Sequence, residues 1–162
     1  MTISDFATLE EAVRSSFPPK VTRVVAVREH GDYALALFDT RPTGEPYLYQ
    51  VHYWRNNGRW SEGSSGNGYG WHRYTLESDL GVATVWGDDA PAGADRVRGT
   101  CEGDIREEQV EQGSYLLVWW DVPDEARAAE LSSFRVNGEW LRAPTIEEQM
   151  QAIRASLRSR GL

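Results

Sequence analysis

Trp54-Arg55-Asn56-Asn57-Gly58-Arg59-Trp60 and Phe134-Arg135-Val136-Asn137-Gly138-Glu139-Trp140 are two occurrences of one phrase, aromatic–Arg–x–Asn–Gly–x–Trp. Asn-Gly supplies the positive φ angles that a tight hairpin turn needs. The flanking aromatics suit a pleated, half-buried surface. Each phrase therefore marks a β-hairpin, one in each half of a β-rich chain. The halves share no alignment beyond it, so two hairpins converging on one turn chemistry explain the repeat.

Upstream of the first phrase, Tyr47 to Trp54 alternates. Tyr47, Tyr49, Val51 and Tyr53 take one side, and Leu48, Gln50, His52 and Trp54 the other. Tyr33 to Phe38 is almost continuously apolar, as a strand covered on both faces would be. Val21 to Arg28 reads as a strand, and His30-Gly31-Asp32 as the turn after it. Ahead of these strands, Thr8-Leu9-Glu10-Glu11 has the capping-box pattern of a helix start. Phe6, Leu9, Val13 and Phe17 share one helical face, and Pro18-Pro19 ends the helix. Downstream, Gly63 to Gly70 reads as a glycine-rich loop.

The second half is nearly all strand. Val82 to Trp86, Arg96 to Cys101, the polar edge strand Ile105 to Glu111, and Tyr115 to Trp120 follow one another, divided by Gly103-Asp104 and Gln112-Gly113 turns. Pro123 to Glu130 is a polar connection. Thr145-Ile146-Glu147-Glu148 is a second capping box, and Ile146, Met150, Ile153 and Leu157 make one apolar stripe. That stripe is expected to dock on the domain. The fold expected is α+β and mostly antiparallel. Residues 1–78 form an N-terminal helix plus β-meander, 79–143 a β-sandwich-like half, and 144–162 a C-terminal amphipathic helix, the halves packed as one unit.

The run Val97 to Cys101, Gly103, Ile105 to Glu111, Gly113, Tyr115 to Trp120 resembles a pattern common in uncharacterised bacterial proteins with Ig-like sandwiches. The resemblance spans about a third of the chain. It implies a sandwich and no functional residue.

Composition narrows the function classes. The chain has 162 residues and a net charge of −8, and no basic stripe suited to nucleic acid is visible. Lys20 is the one lysine among 17 basic residues, the rest being arginines, which points to a GC-rich bacterial genome. Cys101 is the one cysteine and fits a reducing compartment. Met1 to Leu9 lacks the pattern of a signal peptide, and no apolar run is long enough for a membrane span, so a cytoplasmic location is expected.

No catalytic motif stands out. The glycine-rich stretch lacks the Lys and the following helix of a phosphate loop. His30, His52 and His72 lack close metal-ligand spacing, although His52, His72 and Glu62 could converge. Cys101 alternates with core positions and has acidic neighbours, so it reads as a small core residue rather than a nucleophile. No catalytic residue, cofactor or metal is expected.

Two features remain. Acid gathers between Cys101 and Glu130, including Glu107 and Glu108 on the edge strand, against Arg106 and Arg127. Aromatics gather around the glycine stretch. The expected function is a small, non-enzymatic interaction protein, of immunity or adaptor type, binding a basic protein partner through an acidic, aromatic surface. The alternative is a small-ligand or glycan binder beside Gly63 to Trp71. The expected binding residues are Trp60, Asn67, Tyr69, Trp71, His72, Glu107 and Glu108. Neither nucleic acid nor membrane is an expected partner, and oligomeric state stays open.

Overall fold

The computed structural model describes residues 5–16, 23–39, 48–68, 70–75, 80–123, 125–126 and 129–161, with backbone alone at 64–68, 70–75, 80, 146, 149 and 153. Helix α1 (Leu9–Ser16) begins where the capping box places it, with Thr8 Oγ1 accepting the Glu11 amide at 3.2 Å. A short strand β1 (Asp5–Phe6) precedes it. Then come β2 (Arg23–His30), β3 (Tyr33–Asp39), β4 (Leu48–Asn56) and β5 (Arg59–Gly68). With β1 they form a five-stranded antiparallel sheet, order β1-β5-β4-β3-β2.

The chain then changes sheets. β6 (Gly70–Thr75) leaves the first sheet and pairs with β7 (Leu80–Gly87), which pairs in turn with β10 (Tyr115–Pro123). A third sheet holds β8 (Ala94–Cys101), β9 (Asp104–Gln109), β11 (Glu130–Val136) and β12 (Glu139–Arg142), in the order β12-β11-β8-β9. Helix α2 (Ile146–Ser159) follows. The three-stranded and four-stranded sheets face each other as a seven-stranded sandwich. The sandwich begins at β6, ahead of the 78/79 division drawn from sequence.

Apolar clusters show how the layers stack. Ala12 and Val13 of α1 pack on Ala34, Ala36, Phe38, Val51, Tyr53 and Trp60, one face of the five-stranded sheet. Leu35, Leu37 and Leu48 on its other face pack on Val82, Trp86, Leu116 and Val118 of the three-stranded sheet. The far face of that sheet, with Ala83, Val85, Tyr115, Leu117 and Trp119, packs on Val97, Cys101, Leu131 and Phe134 of the four-stranded sheet. The order of layers is helix, five strands, three strands, four strands. The three-stranded sheet is buried on both faces. This explains Tyr115 to Trp120: alternate residues of one apolar run serve two different cores.

The Asn-Gly phrases make the turns the sequence predicts. Asn57 and Gly58 have φ of 52° and 74°, and Asn137 and Gly138 of 52° and 78°. The glycine-rich stretch departs from its reading as a loop. Residues 65–68 run as strand, with Val51, Gln50, Tyr49 and Leu48 opposite Ser65, Gly66, Asn67 and Gly68. Ladder pairing to a neighbouring strand overrides glycine's weak strand preference. Of the stripe expected to dock, Met150 and Leu157 are 46% and 42% exposed, and the side chains of Ile146 and Ile153 lie outside the described residues. Among the described residues, no helix is long and apolar enough to cross a membrane.

Gly99 lies at a close approach between the sandwich sheets. A Cβ there would stand 2.8 Å from Leu117 Cδ1, 2.9 Å from Trp119 Cη2 and 2.9 Å from the Glu130 carbonyl oxygen. Leu117 could turn aside, but the carbonyl is held in the β8–β11 ladder. Gly99→Ala is expected to cost about 1–3 kcal/mol, the usual penalty of overpacking. Denaturant unfolding of the variant reads this directly, and an unchanged midpoint would contradict the close contact of the two sheets.

Candidate functional site

The residues singled out from sequence do not gather into one site. Trp60 is a correction: it is 3% exposed, packed in the core beneath α1 and opposite Phe6. Its face of β5 is the one α1 covers, a long-range fact that local pattern cannot carry. Arg55 lies over its ring at 5.1 Å. Asn67 has its backbone opposite Tyr49, Trp71 opposite Val85, and His72 opposite Thr84. The side chains of these three, and all of Tyr69, lie outside the described residues. So does the His72 arm of the possible metal set. The His52 imidazole is within hydrogen-bond distance of Gln50 Oε1, at 3.2 Å. No group of three or more His, Cys, Asp or Glu residues is placed to hold a metal among the described residues.

Glu107 and Glu108 lie on the edge strand β9 and point to opposite faces, as adjacent strand residues must. Glu107 accepts from Arg98 Nε at 3.0 Å and lies 3.5 Å from Arg96. The Arg98 hydrogen bond holds its carboxyl below the ordinary 4.5. Arg98 also covers the Trp140 ring at 3.9 Å. Glu108 pairs with Arg28 of β2 at 3.2 Å. Asp104 pairs with Arg106 at 3.2 Å, and Asp121 with His30 at 2.8 Å. Four acids of the window thus carry cationic or imidazole partners, three of them with partners on β2 or β8. The window is more nearly an ion-paired surface than a bare acidic one.

A different surface stands out. His30, Tyr33, Trp54 and Ser61 are register neighbours across β2, β3, β4 and β5, on the face of the sheet that meets the three-stranded sheet. Cross-strand neighbours sit about 4.5–5.5 Å apart, so these side chains form one row. Trp54, at the outer end of its strand, is 51% exposed. Its ring lies over Gly63, where a Cβ would come within 3.2 Å of Cζ3. From the other sheet, Trp120 stacks on His30 with centroids 5.2 Å apart and planes at 15°.

A bulge aims Trp120 at this row. Trp119 pairs with Ala83 and Val122 with Gly81, so Trp120 and Asp121 together oppose Val82. Asp121 has φ of 56°, a left-handed conformation that Asp tolerates better than most residues. The bulge turns its carboxylate to His30 Nε2 at 2.8 Å. The result is an aromatic ledge, Trp120–His30–Tyr33–Trp54, with Asp121 beside it and the Asp32–Arg55 pair (3.0 Å) at its turn. Trp54 was legible as the exposed end of an alternating strand. The bulge at Trp120 had no sequence signal.

Beside the ledge, the edges of the three sheets meet. Arg28 Nη2 reaches Glu108 on β9 and the Leu116 carbonyl on β10, at 3.2 and 3.4 Å. Arg23 pairs with Asp39 at 3.0 Å and reaches the Glu111 carbonyl at 3.4 Å. A cleft of about 150 Å³ lies here, lined by Val25, Ala26, Arg28, Glu108, Glu111 and Leu116 among others. Arg28 Nη2 ties three strands together there, which suits a clamp between layers. Burial pushes the phenols of Tyr53 and Tyr115 upward, so neither exchanges a proton near neutral pH. Tyr115 instead donates to Asp89 at 2.7 Å. Compared with known proteins, the chain matches no family model, no curated protein and no solved structure.

Two measurements check this geometry. Glu107 has its pKa lowered in the folded state, so its pairing stabilises above the unfolded pKa near 4.5 and is lost as pH falls through the folded value. Glu107→Gln is expected to be slightly less stable than the wild type at neutral pH and to match it at low pH, where the wild-type carboxyl is protonated, so that its acid limb is shallower. An unchanged acid limb would contradict the Arg98 pairing. Thr84 Oγ1 is fully buried between the five- and three-stranded sheets and has no hydrogen-bond partner among the described residues. Thr84→Val is expected to be neutral or to stabilise by about 1 kcal/mol, since a buried orphan hydroxyl is replaced by a methyl. A loss of stability in thermal unfolding would contradict that environment.

Proposed function

We propose that this chain is a non-enzymatic interaction protein that binds a basic protein partner on the aromatic ledge, in the manner of an immunity or adaptor protein. The observation that carries the reading is Trp54, 51% exposed and in line with Tyr33, His30 and Trp120. Trp and Tyr are the residues that dominate protein interfaces, because they bury large rigid surfaces at low entropic cost. Arg or Lys from a partner can lie on the rings, and Asp121 and Asp32 stand close by. The net charge of −8 favours encounter with a basic surface. Glu107 and Glu108 serve this less well than sequence suggests, since arginines of the same chain already neutralise them.

The test is capture from the host lysate with the wild type and with Trp54→Ala, washed at low and high salt. The reading expects one stoichiometric partner, released by salt and lost in the variant. The loss expected for an anchor residue is about 2 kcal/mol, roughly thirtyfold in affinity. Glu107→Gln should retain the partner. Equal capture by wild type and Trp54→Ala would overturn the reading. The near-parallel stack of His30 on Trp120 favours a second reading, a glycan face, because flat rings also stack on sugars. Binding of a glycan panel that quenches tryptophan fluorescence, with no protein captured, would favour it.

A further inference from the structure

Helix α2 presents an exposed face among its described side chains. Every described residue of Ile146–Ser159 is exposed, and Met150 and Leu157 are 46% and 42% exposed. Its start is well fixed. Thr145 Oγ1 accepts the Glu148 amide at 3.1 Å, and Arg142 grips the Glu148 carboxylate at 2.9 and 3.2 Å. A helix of 14 residues is marginal in water unless an apolar face is buried.

The helix has such a face. Ile146, Met150, Ile153 and Leu157 follow at steps of four, three and four residues, the spacing of a coiled-coil seam. The outer face of the four-stranded sheet is largely charged among the described residues. That face carries Arg96, Arg98 and Arg135, engaged with Glu107, Asp95 and Trp140. We propose that the seam is covered by the same helix of a second copy of this chain, running antiparallel.

Charge sets the direction. Glu147 and Glu148 lie in the first turn, and Arg154, Arg158 and Arg160 lie towards the other end. A parallel pair would lay acid on acid and base on base. An antiparallel pair lays each on its opposite. With Met150 against the partner's Ile153, Ile146 meets the partner's Leu157. Glu147 then lies beside the partner's Arg154, twice by symmetry. The two-fold axis passes between Gln151 and Ala152. Such an isologous contact closes on itself and stops at two copies. The seam covers only two heptads, so the dimer is weak and reversible. It would carry two aromatic ledges, and a partner with two binding faces would gain avidity.

Sedimentation equilibrium of the full chain over a concentration series tests this. The wild type is expected to show a monomer–dimer equilibrium, and Met150→Glu/Leu157→Glu to be monomeric. These exposed positions leave the β layers untouched, which near-UV circular dichroism checks. Glu147→Arg and Arg154→Glu alone should each weaken the dimer about tenfold, by turning two attractive pairs into two repulsive ones. The double variant Glu147→Arg/Arg154→Glu should recover most of that loss. A wild type that stays monomeric throughout would overturn the proposal. So would a dimer that survives the seam variant, or a double variant no tighter than the single ones.

Discussion

Burial of the three-stranded sheet on both faces is the constraint on which the rest of the structure depends. Leu116 and Val118 project into the layer shared with the five-stranded sheet, and Tyr115, Leu117 and Trp119 into the sandwich core. Each such side chain contributes roughly 1.5–3 kcal/mol when taken fully out of water. The six-residue run therefore joins two cores that would otherwise be separate. Without the N-terminal sheet, Val82, Trp86, Leu116 and Val118 would lose their cover. Without the sandwich, Leu35, Leu37 and Leu48 would lose theirs.

The same stacking positions the surface chemistry. Strand β2 closes one sheet, β10 another and β9 the third, and all three edges come to one side. Arg23 and Arg28 bridge them, which covers exposed ladder groups with paired charge in the way edges are commonly protected. At the outer end of this seam the β10 bulge brings Trp120 and Asp121 onto His30. The aromatic ledge is thus a consequence of how two sheets of unequal length end. Trp54 and Tyr33 project beyond the cover that buries Leu35 and Leu37 one or two rungs deeper.

Local chemistry made much of the fold legible. Asn57-Gly58 and Asn137-Gly138 announce their turns, Thr8 and Thr145 their helices, and the alternation from Tyr49 to Trp54 assigns its two faces correctly. The apolar runs at Tyr33 and Tyr115 reveal that two strands are covered twice, but not by what. What remained hidden was long-range. Glycines from Gly63 to Gly68 read as loop because their strand pairing comes from β4. Trp60 and Trp54 look alike in sequence, yet α1 covers the face of one and leaves the other free. Glu107 and Glu108 read as bare acid because their arginines come from β8 and β2.

Native-state hydrogen exchange tests the layered account most directly. Strand β7 is the middle strand of the doubly buried sheet, while β3 and β8 belong to the layers on either side. If each layer depends on the others, the slowest amides of β7, β3 and β8 should open with one common free energy, that of global unfolding. Slow amides of β3 opening at a clearly lower free energy than those of β7 and β8 would contradict the account. The N-terminal sheet would then be an appendage to the sandwich, and not one of the layers that hold it together.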